Sequence, residues 1–140
     1  MKLIAIDMAV KLLHRREFPS WNYVFDTGAT NMTESWYGMK DPDKSISMSH
    51  FSLGSVVTFF FEYLGGISVD ESAPGFSHVV LAPHFHPEIG SCSVRYRTPY
   101  GEICSEWHYE GEVPVWHYSV PEGIRCEIRM PTSHPLEETK

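Results

Sequence analysis

Two helical segments of this chain are apolar around nearly their whole circumference, which limits the folds that the chain can adopt. In residues 2 to about 15, the polar side chains Asp7, Lys11 and His14 form only a narrow stripe at helical spacing. Residues 49–64 repeat this pattern, with large apolar side chains on almost every face. Helices of this kind lie inside larger helical assemblies. Because two such helices cannot cover each other completely, we expect both to belong to a larger helical body.

Local signals predict where these helices begin and end. Phe18-Pro19 ends the first helix, because the residue before a proline avoids the α region. For the second helix, Ser47 or Ser49 can serve as the N-cap, and Gly65-Gly66 supplies the C-terminal stop.

Past residue 66 the sequence changes from helical spacing to alternation. Residues 67–75 contain a proline and acidic residues and are predicted to be a linker, after which short alternating segments recur between turn signals. Regular short strands are typical of an antiparallel β-sandwich. The predicted fold class is α+β, with a helical part at 1–66 and a small antiparallel β-sandwich at 76–140. The predicted strands are 77–82, 91–97, 102–109, 115–120 and 124–130.

Composition and charge exclude several kinds of function. The net charge is −7, from 11 basic and 18 acidic residues, so we expect no nucleic-acid partner. No run of 18 apolar residues is present and the N-terminus lacks a secretory cleavage site, so we expect no membrane span and no signal peptide. Cys92, Cys104 and Cys126 are an odd set without CxxC spacing. We expect free thiols in a reducing compartment, which favours the cytoplasm.

The connection between the two helices, Trp21–His50, is the first candidate site. Connections of this length in compact domains are usually functional or disordered, and disordered segments are poor in aromatic residues. This one is rich in them and carries Glu34 near Trp36, Tyr37 and His50. A carboxylate in an aromatic pocket can act as a general base or a general acid, as in sugar-processing sites. The alternative is a solvated loop glutamate.

A second candidate is the histidine cluster His78, His84 and His86, with Glu88. A His-x-His pair beside a glutamate in a β-rich chain is similar to the metal sites of cupin barrels. However, prolines flank the pair, so we expect it in a turn, and no second histidine motif follows. The preferred interpretation is an exposed loop, with neither a metal nor another cofactor.

The third candidate is a group of aromatic residues on neighbouring predicted strands. Alternation places Trp107 and Tyr109 on one face of their strand, and Trp116 and Tyr118 on one face of theirs. A cross-strand aromatic core is the preferred interpretation. The alternative is a platform for sugar stacking, which would make the chain a non-catalytic carbohydrate-binding or interaction module.

Four segments occur in order along the chain: REFPSWNYVFDTGATNMTESWYG, SMSHFSLGSVVTFFFEYLGGI, PGFSHVVLAP and PYGEICSEWHYEG. Together they resemble the C-terminal end of bacterial α-L-rhamnosidases, glycoside hydrolase family seventy-eight. The likeness runs from about Ala5 to Pro131. It implies that residues 1–66 are the last helices and the active-site loop of an incomplete (α/α)₆ barrel, and that 76–140 is a C-terminal β-sandwich.

The resemblance also implies roles for three residues of the candidate site. The family inverts configuration with two carboxyl groups, an acid for the leaving oxygen and a base for the attacking water. Its base lies in a Gly-Ala-Thr…Glu-x-Trp motif, which residues 28–36 match, so Glu34 is the implied general base and Trp36 a wall of the pocket. His50 matches the family's rhamnose-contacting histidine.

The chain departs from the family pattern beside these residues. Thr33 replaces the usual aromatic residue, Ser35 the usual arginine, and Ser49 the usual asparagine. The family's general acid and its other sugar-binding residues come from earlier barrel helices, outside this sequence. We therefore expect a C-terminal fragment of an inverting hydrolase of rhamnose-containing glycosides, inactive alone, that forms homo-oligomers through its exposed apolar helices.

Overall fold

The computed structural model describes residues 2–44, 47–130 and 137–138. The chain divides into two compact units, Met1–Val56 and Val57–Lys140. None of the helices in the described residues is both long enough and apolar enough to cross a membrane.

The first unit is built from helices. They are α1 (Lys2–His14), α2 (Trp21–Asp26) and α3 (Phe51–Gly54), with a 3₁₀ turn at Pro42–Lys44. The predicted first helix is confirmed by α1. Val10 on this helix is fully buried, whereas Met8 is 67% exposed. A helix that is apolar on every side buries only the face that meets the core, so part of its apolar surface stays in solvent.

The helix α2 lies within the connection 21–50, for which the sequence predicts no helix. It begins after Ser20, a fully buried residue whose hydroxyl accepts a hydrogen bond from the Tyr23 amide at 3.0 Å. Asn22 Nδ2 donates to the Leu13 carbonyl at 2.6 Å. These two bonds begin α2 and attach it to the C-terminal end of α1.

The second predicted helix, 49–64, is interrupted. After α3 the chain forms a short helix α4 (Val56–Thr58) and then a π-helical segment (Phe59–Leu64). The first break lies at Ser55, whose hydroxyl donates to the Ser52 carbonyl at 2.7 Å. Such a bond competes with the helical ladder and offers the backbone an alternative path. The prediction of one continuous helix is therefore wrong.

The described residues of the second unit form two sheets, with strand orders β1-β2-β6 and β3-β4-β5-β7. The strands are β1 (Ile67–Val69), β2 (His78–Leu81), β3 (Ser91–Thr98), β4 (Gly101–Glu110), β5 (Val113–Ser119), β6 (Arg125–Ile128) and β7 (Glu137–Glu138). The five predicted strands correspond to β2 through β6. By contrast, β1 lies at the start of the segment 67–75 that is predicted as a linker, and β7 lies in the polar C-terminal tail.

Most neighbouring strands are antiparallel, but two pairs are parallel, β2 with β6 and β5 with β7. A tight turn forces an antiparallel direction on the strands that it joins, as it does between β3 and β4. No such turn joins β6 to β2, because the chain reaches β6 directly from β5 in the other sheet. The prediction of a wholly antiparallel arrangement is wrong for these two pairs.

Both sheets and the π-helical segment contribute to one hydrophobic core. Its buried members are Leu64, Ile67, Val79, Leu81, Val94, Ile103, Trp107 and Trp116. Trp107 and Trp116 are partners across β4 and β5, and they are only 1% and 2% exposed. The predicted cross-strand aromatic core is confirmed.

The indole N–H groups of Trp107 and Trp116 and the hydroxyl of Ser105 are hydrogen-bonded inside this core. Trp107 Nε1 donates to the Leu64 carbonyl at 2.7 Å, and Trp116 Nε1 donates to Ser105 Oγ at 3.0 Å. The Ser105 hydroxyl in turn donates to the Gly65 carbonyl at 2.6 Å. These bonds join the C-terminal end of the π-helical segment to β4 and β5, and they satisfy groups that would be costly to bury unpaired.

Candidate active site

The carboxylate of Glu34 is held between two paired stretches of backbone. The Glu34 amide donates to the Ser47 carbonyl at 2.9 Å, and the His50 amide donates to the Met32 carbonyl at 2.8 Å. The Ser47 amide donates in return to Glu34 Oε2 at 3.1 Å. Glu34 is half-buried. Its carboxylate is therefore anchored by a backbone amide and partly shielded from solvent.

The residues on either side of Glu34 fix its backbone. Thr33 is 1% exposed, and its hydroxyl donates to the Ser35 carbonyl at 2.7 Å. The Ser35 hydroxyl donates to the Lys44 carbonyl at 3.0 Å. Two of the three positions that depart from the family pattern, Thr33 and Ser35, thus carry hydroxyl groups that bind the loop to itself.

Trp36 lies against Trp21. Their rings meet edge to face, with centroids 5.1 Å apart, in the geometry that aromatic pairs prefer. Trp21 also donates from Nε1 to the Leu53 carbonyl at 2.9 Å, which joins α2 to α3. In the sequence, Trp21 is only one of several aromatic residues of the connection, and this supporting role was not predicted. The available signal was Ser20, an N-cap residue directly before Trp21, which indicates that a helix begins at this tryptophan.

His50 begins α3 as its N-cap. The Ser52 amide donates to His50 Nδ1 at 3.1 Å, so neither Ser47 nor Ser49 is the cap, contrary to the sequence-based prediction. The histidine ring stacks on Phe51, with centroids 4.7 Å apart. Phe51 itself is 82% exposed. A histidine takes the cap because its ring nitrogen reaches the amide two residues ahead as a serine hydroxyl would.

Tyr37, the other aromatic residue predicted beside Glu34, packs elsewhere. Its ring lies 5.2 Å from that of Phe18, and Lys44 Nζ lies 4.8 Å from its centroid. The pKa of Lys44 is raised by its hydrogen bond to Asp41, by the negative charge of Asp41 and by the electrostatic interaction with Tyr37. The loop therefore separates an aromatic and cationic cluster at Tyr37 from the backbone pairing that holds Glu34 and His50.

The arrangement around Glu34 suits a proton acceptor. One carboxylate oxygen is oriented by the Ser47 amide, and the other, Oε1, has no hydrogen-bond partner within the described residues. A half-buried carboxylate with one oxygen fixed and the other available can take a proton from a bound water.

The histidine cluster does not converge on one point. His78 Nδ1 lies 2.8 Å from Asp70 Oδ2, whereas His84 stacks on Tyr63 with centroids 4.2 Å apart. Within residues 2–44, 47–130 and 137–138, no group of three or more His, Cys, Asp or Glu side chains could hold a metal ion. His84 and His86 are half-buried, so the predicted exposed loop is wrong in that respect.

The aromatic platform for sugar stacking is also contradicted. A stacking surface needs exposed rings, whereas Trp107 and Trp116 are almost wholly inside the core. The three cysteines are free, as predicted. Burial raises the pKa of the Cys92 and Cys126 thiols.

Two family models match successive parts of the chain. The model described as the bacterial alpha-L-rhamnosidase 6 hairpin glycosidase domain matches residues 3–64. The model described as the bacterial alpha-L-rhamnosidase C-terminal domain matches residues 66–140. These matches confirm the resemblance that the four ordered segments indicate.

Curated relatives agree with the family models. An alpha-L-rhamnosidase of Streptomyces avermitilis is 31% identical over 135 residues, which is 92% of this chain and 13% of the relative. An alpha-L-rhamnosidase of Formosa agariphila is 31% identical over 134 residues, which is 92% of this chain and 14% of the relative. The chain thus spans about one seventh of the length of these relatives.

Solved structures of similar proteins share the fold. The Streptomyces avermitilis alpha-L-rhamnosidase complexed with L-rhamnose superimposes with a TM-score of 0.77 at 30% identity, covering 91% of this chain and 13% of that one. The native Aspergillus terreus enzyme superimposes with a TM-score of 0.72 at 27% identity, covering 87% of this chain and 15% of that one.

Proposed function

Because this chain belongs to the bacterial α-L-rhamnosidase family, we propose that it carries the general-base part of an inverting glycoside hydrolase. The proposed substrates are glycosides with a terminal α-L-rhamnose. In this proposal residues 1–66 are the last helices and the active-site loop of an (α/α)₆ catalytic barrel. Residues 76–140 are the C-terminal β-sandwich.

Glu34 is the proposed general base. In an inverting reaction the base takes a proton from the water that attacks the anomeric carbon, on the face opposite the leaving group. The observation that supports this role is the Ser47 amide on Oε2, which orients the carboxylate, while Oε1 has no hydrogen-bond partner in the described part of the chain. The second carboxyl group of the reaction protonates the leaving oxygen.

His50 and Trp36 are the proposed sugar-binding residues. The backbone of His50 pairs with Met32, two residues before the proposed base. Trp36 is two residues after the base and is supported edge to face by Trp21. The base and its proposed neighbours thus sit on one short, internally hydrogen-bonded loop, which lowers the cost of ordering them when substrate binds.

The proposal assigns the general acid to a polypeptide region other than these 140 residues, as the family resemblance implies. An inverting enzyme needs both carboxyl groups, so the chain by itself should not hydrolyse rhamnosides. Purified 140-residue protein is incubated with a chromogenic α-L-rhamnoside. Turnover that disappears in Glu34→Gln would show that the chain holds its own acid and would overturn this part of the proposal.

A chimera tests the base directly. The matching segment of the Streptomyces avermitilis alpha-L-rhamnosidase is replaced by this chain, and hydrolysis of the same substrate is measured. We expect activity in the chimera and a loss of about 10²- to 10⁴-fold in kcat with Glu34→Gln, the range typical of a lost general base. Asp43→Asn removes an exposed carboxylate of the same loop and should leave kcat unchanged. Equal rates in the two variants would contradict the assignment.

We also propose that the isolated chain associates with itself through exposed apolar side chains of its first unit. Met8 is 67% exposed and Phe51 is 82% exposed, and exposed apolar surface of this kind favours association. Light scattering of the purified protein at micromolar concentration should give a mass above that of the monomer. A sharp monomer peak would contradict self-association.

A further inference from the structure

The N-cap of α3 defines which ring nitrogen of His50 carries the proton. A backbone amide can only donate, and the Ser52 amide points at His50 Nδ1 at 3.1 Å. Nδ1 must therefore offer its lone pair, which leaves Nε2 as the protonated nitrogen of a neutral imidazole. We propose that His50 is locked as the Nε2–H tautomer and acts in the candidate site as a fixed hydrogen-bond donor to a hydroxyl oxygen of the ligand.

Three contacts hold the histidine in this state. Its backbone amide donates to the Met32 carbonyl at 2.8 Å, which sets the position of the residue. Its ring stacks on Phe51 at an interplanar angle of 20°, which sets the plane of the imidazole. The Ser52 amide lies in the first turn of the helix, where it has no intrahelical acceptor. Turning the ring over would leave that amide without its cap.

The available nitrogen of the ring is Nε2. Among the described residues, the His50 ring forms a hydrogen bond only with the Ser52 amide, through Nδ1. As a donor, Nε2–H suits an oxygen lone pair such as that of a sugar hydroxyl. It has no lone pair with which to take a proton from water, so His50 does not compete with Glu34 as a base.

The chain supplies its own comparison for the tautomer. His78 Nδ1 lies 2.8 Å from Asp70 Oδ2, and an ionised carboxylate can only accept a hydrogen bond. Nδ1 of His78 must therefore carry a proton. The two histidines are expected to differ at the same ring atom, with Nδ1 protonated in His78 and unprotonated in His50.

The test is nuclear magnetic resonance of the full ¹⁵N-labelled chain at about pH 8, above the ordinary histidine pKa of about 6.5. Two-bond proton–nitrogen spectra report the tautomer of each ring. The His50 signals are assigned from His50→Asn, which keeps an effective cap. We expect a single Nε2–H pattern for His50 and a protonated Nδ1 for His78. An Nδ1–H pattern or an even mixture at His50 would overturn the proposal.

Two further measurements test the cause and the role. Ser52→Pro removes the amide hydrogen from the first turn, where that N–H has no intrahelical acceptor, so His50 should become a mixture of tautomers. A tautomer that stays fixed would refute the cap as its cause. The donor role is tested in the chimera, which supplies the sugar-binding residues that the family resemblance places outside this chain. His50→Asn keeps the helix cap and should raise KM for the chromogenic rhamnoside. An unchanged KM would refute the donor role. The identity of the ligand as a sugar rests on the proposed function, but the tautomer of His50 does not. The nuclear magnetic resonance result therefore tests the tautomer even if the chimera is inactive.

Discussion

The serine hydroxyl in the core of the second unit carries two buried hydrogen bonds, and its removal should be costly. Ser105 is fully buried, accepts from Trp116 Nε1 at 3.0 Å and donates to the Gly65 carbonyl at 2.6 Å. Ser105→Ala deletes both bonds and leaves a buried indole N–H and a buried carbonyl without their partner. Each of the two orphaned groups costs about 1–3 kcal/mol, so the free energy of unfolding should fall by roughly 2–6 kcal/mol.

This loss is large beside the stability of a small domain, which is about 5–15 kcal/mol. Urea unfolding followed by circular dichroism measures it, with the slope of the transition expected to stay unchanged. Ser119→Ala on the exposed edge of β5 is the matched control and should change stability by less than about 0.5 kcal/mol.

A double-mutant cycle separates the two bonds. In Trp116→Phe the indole N–H is absent, so Ser105→Ala then orphans only the Gly65 carbonyl. The cost of Ser105→Ala should therefore be smaller in the Trp116→Phe background, by about 0.5–3 kcal/mol of coupling energy. A loss below about 1 kcal/mol for Ser105→Ala alone, or additive costs in the cycle, would refute the assignment of both bonds to one hydroxyl.

Three further perturbations have defined outcomes. Ser20→Ala removes the cap of α2 and should destabilise the first unit by about 1 kcal/mol in thermal unfolding; an unchanged midpoint would contradict the cap. Glu106 accepts hydrogen bonds from Ser93 and Arg95, and these bonds lower its pKa from the ordinary value of 4.5. The ionised carboxylate therefore stabilises the fold above pH 4.5, and this contribution is lost as the pH falls through the pKa of the folded state. Glu106→Gln should therefore flatten the acid limb of stability against pH, and an unaltered limb would count against the interaction. Gly66→Ala would place a methyl group against the backbone of the segment after β2, at a φ of +70°, whereas the methyl group of Gly75→Ala, at a φ of +81°, would meet open space. The unfolding midpoint should therefore fall much further for Gly66→Ala than for Gly75→Ala. Equal losses would mean that the positive φ, and not the steric clash, sets the cost of both substitutions.

The alternation of residues within strands was predictable from the sequence. Trp107 and Trp116 lie on the inward faces of β4 and β5 because successive side chains of a strand point to opposite sides of the sheet. The alternation of residue types along the sequence shows the same period of two. α1 was predicted on the same grounds, from apolar residues that recur at helical spacing. The motif around Glu34 indicated the family, which the comparisons confirm.

The local geometry of the candidate site was only partly predictable. The sequence marked Glu34, Trp36 and His50, but the structure assigns the cap of α3 to His50 and the support of Trp36 to Trp21. A capping serine and a capping histidine both offer an acceptor two residues before an amide, and propensity favours the serine. Which of them reaches the amide depends on the pairing of residues 47–50 with Met32–Glu34, which no local pattern encodes.

By itself, the sequence determined where this protein forms α1, the five strands β2 to β6 and the glutamate motif, since each depends on spacing along the chain. Only the tertiary structure decided the parallel pairing of β6 with β2, the strand β1 in an acidic linker-like segment and the break of the second helix at Ser55. The physical reason is that a strand's partner and direction depend on which backbone groups remain unpaired nearby. A serine hydroxyl that competes with a backbone amide for a helical carbonyl likewise succeeds only when the surrounding packing leaves the backbone free to bend.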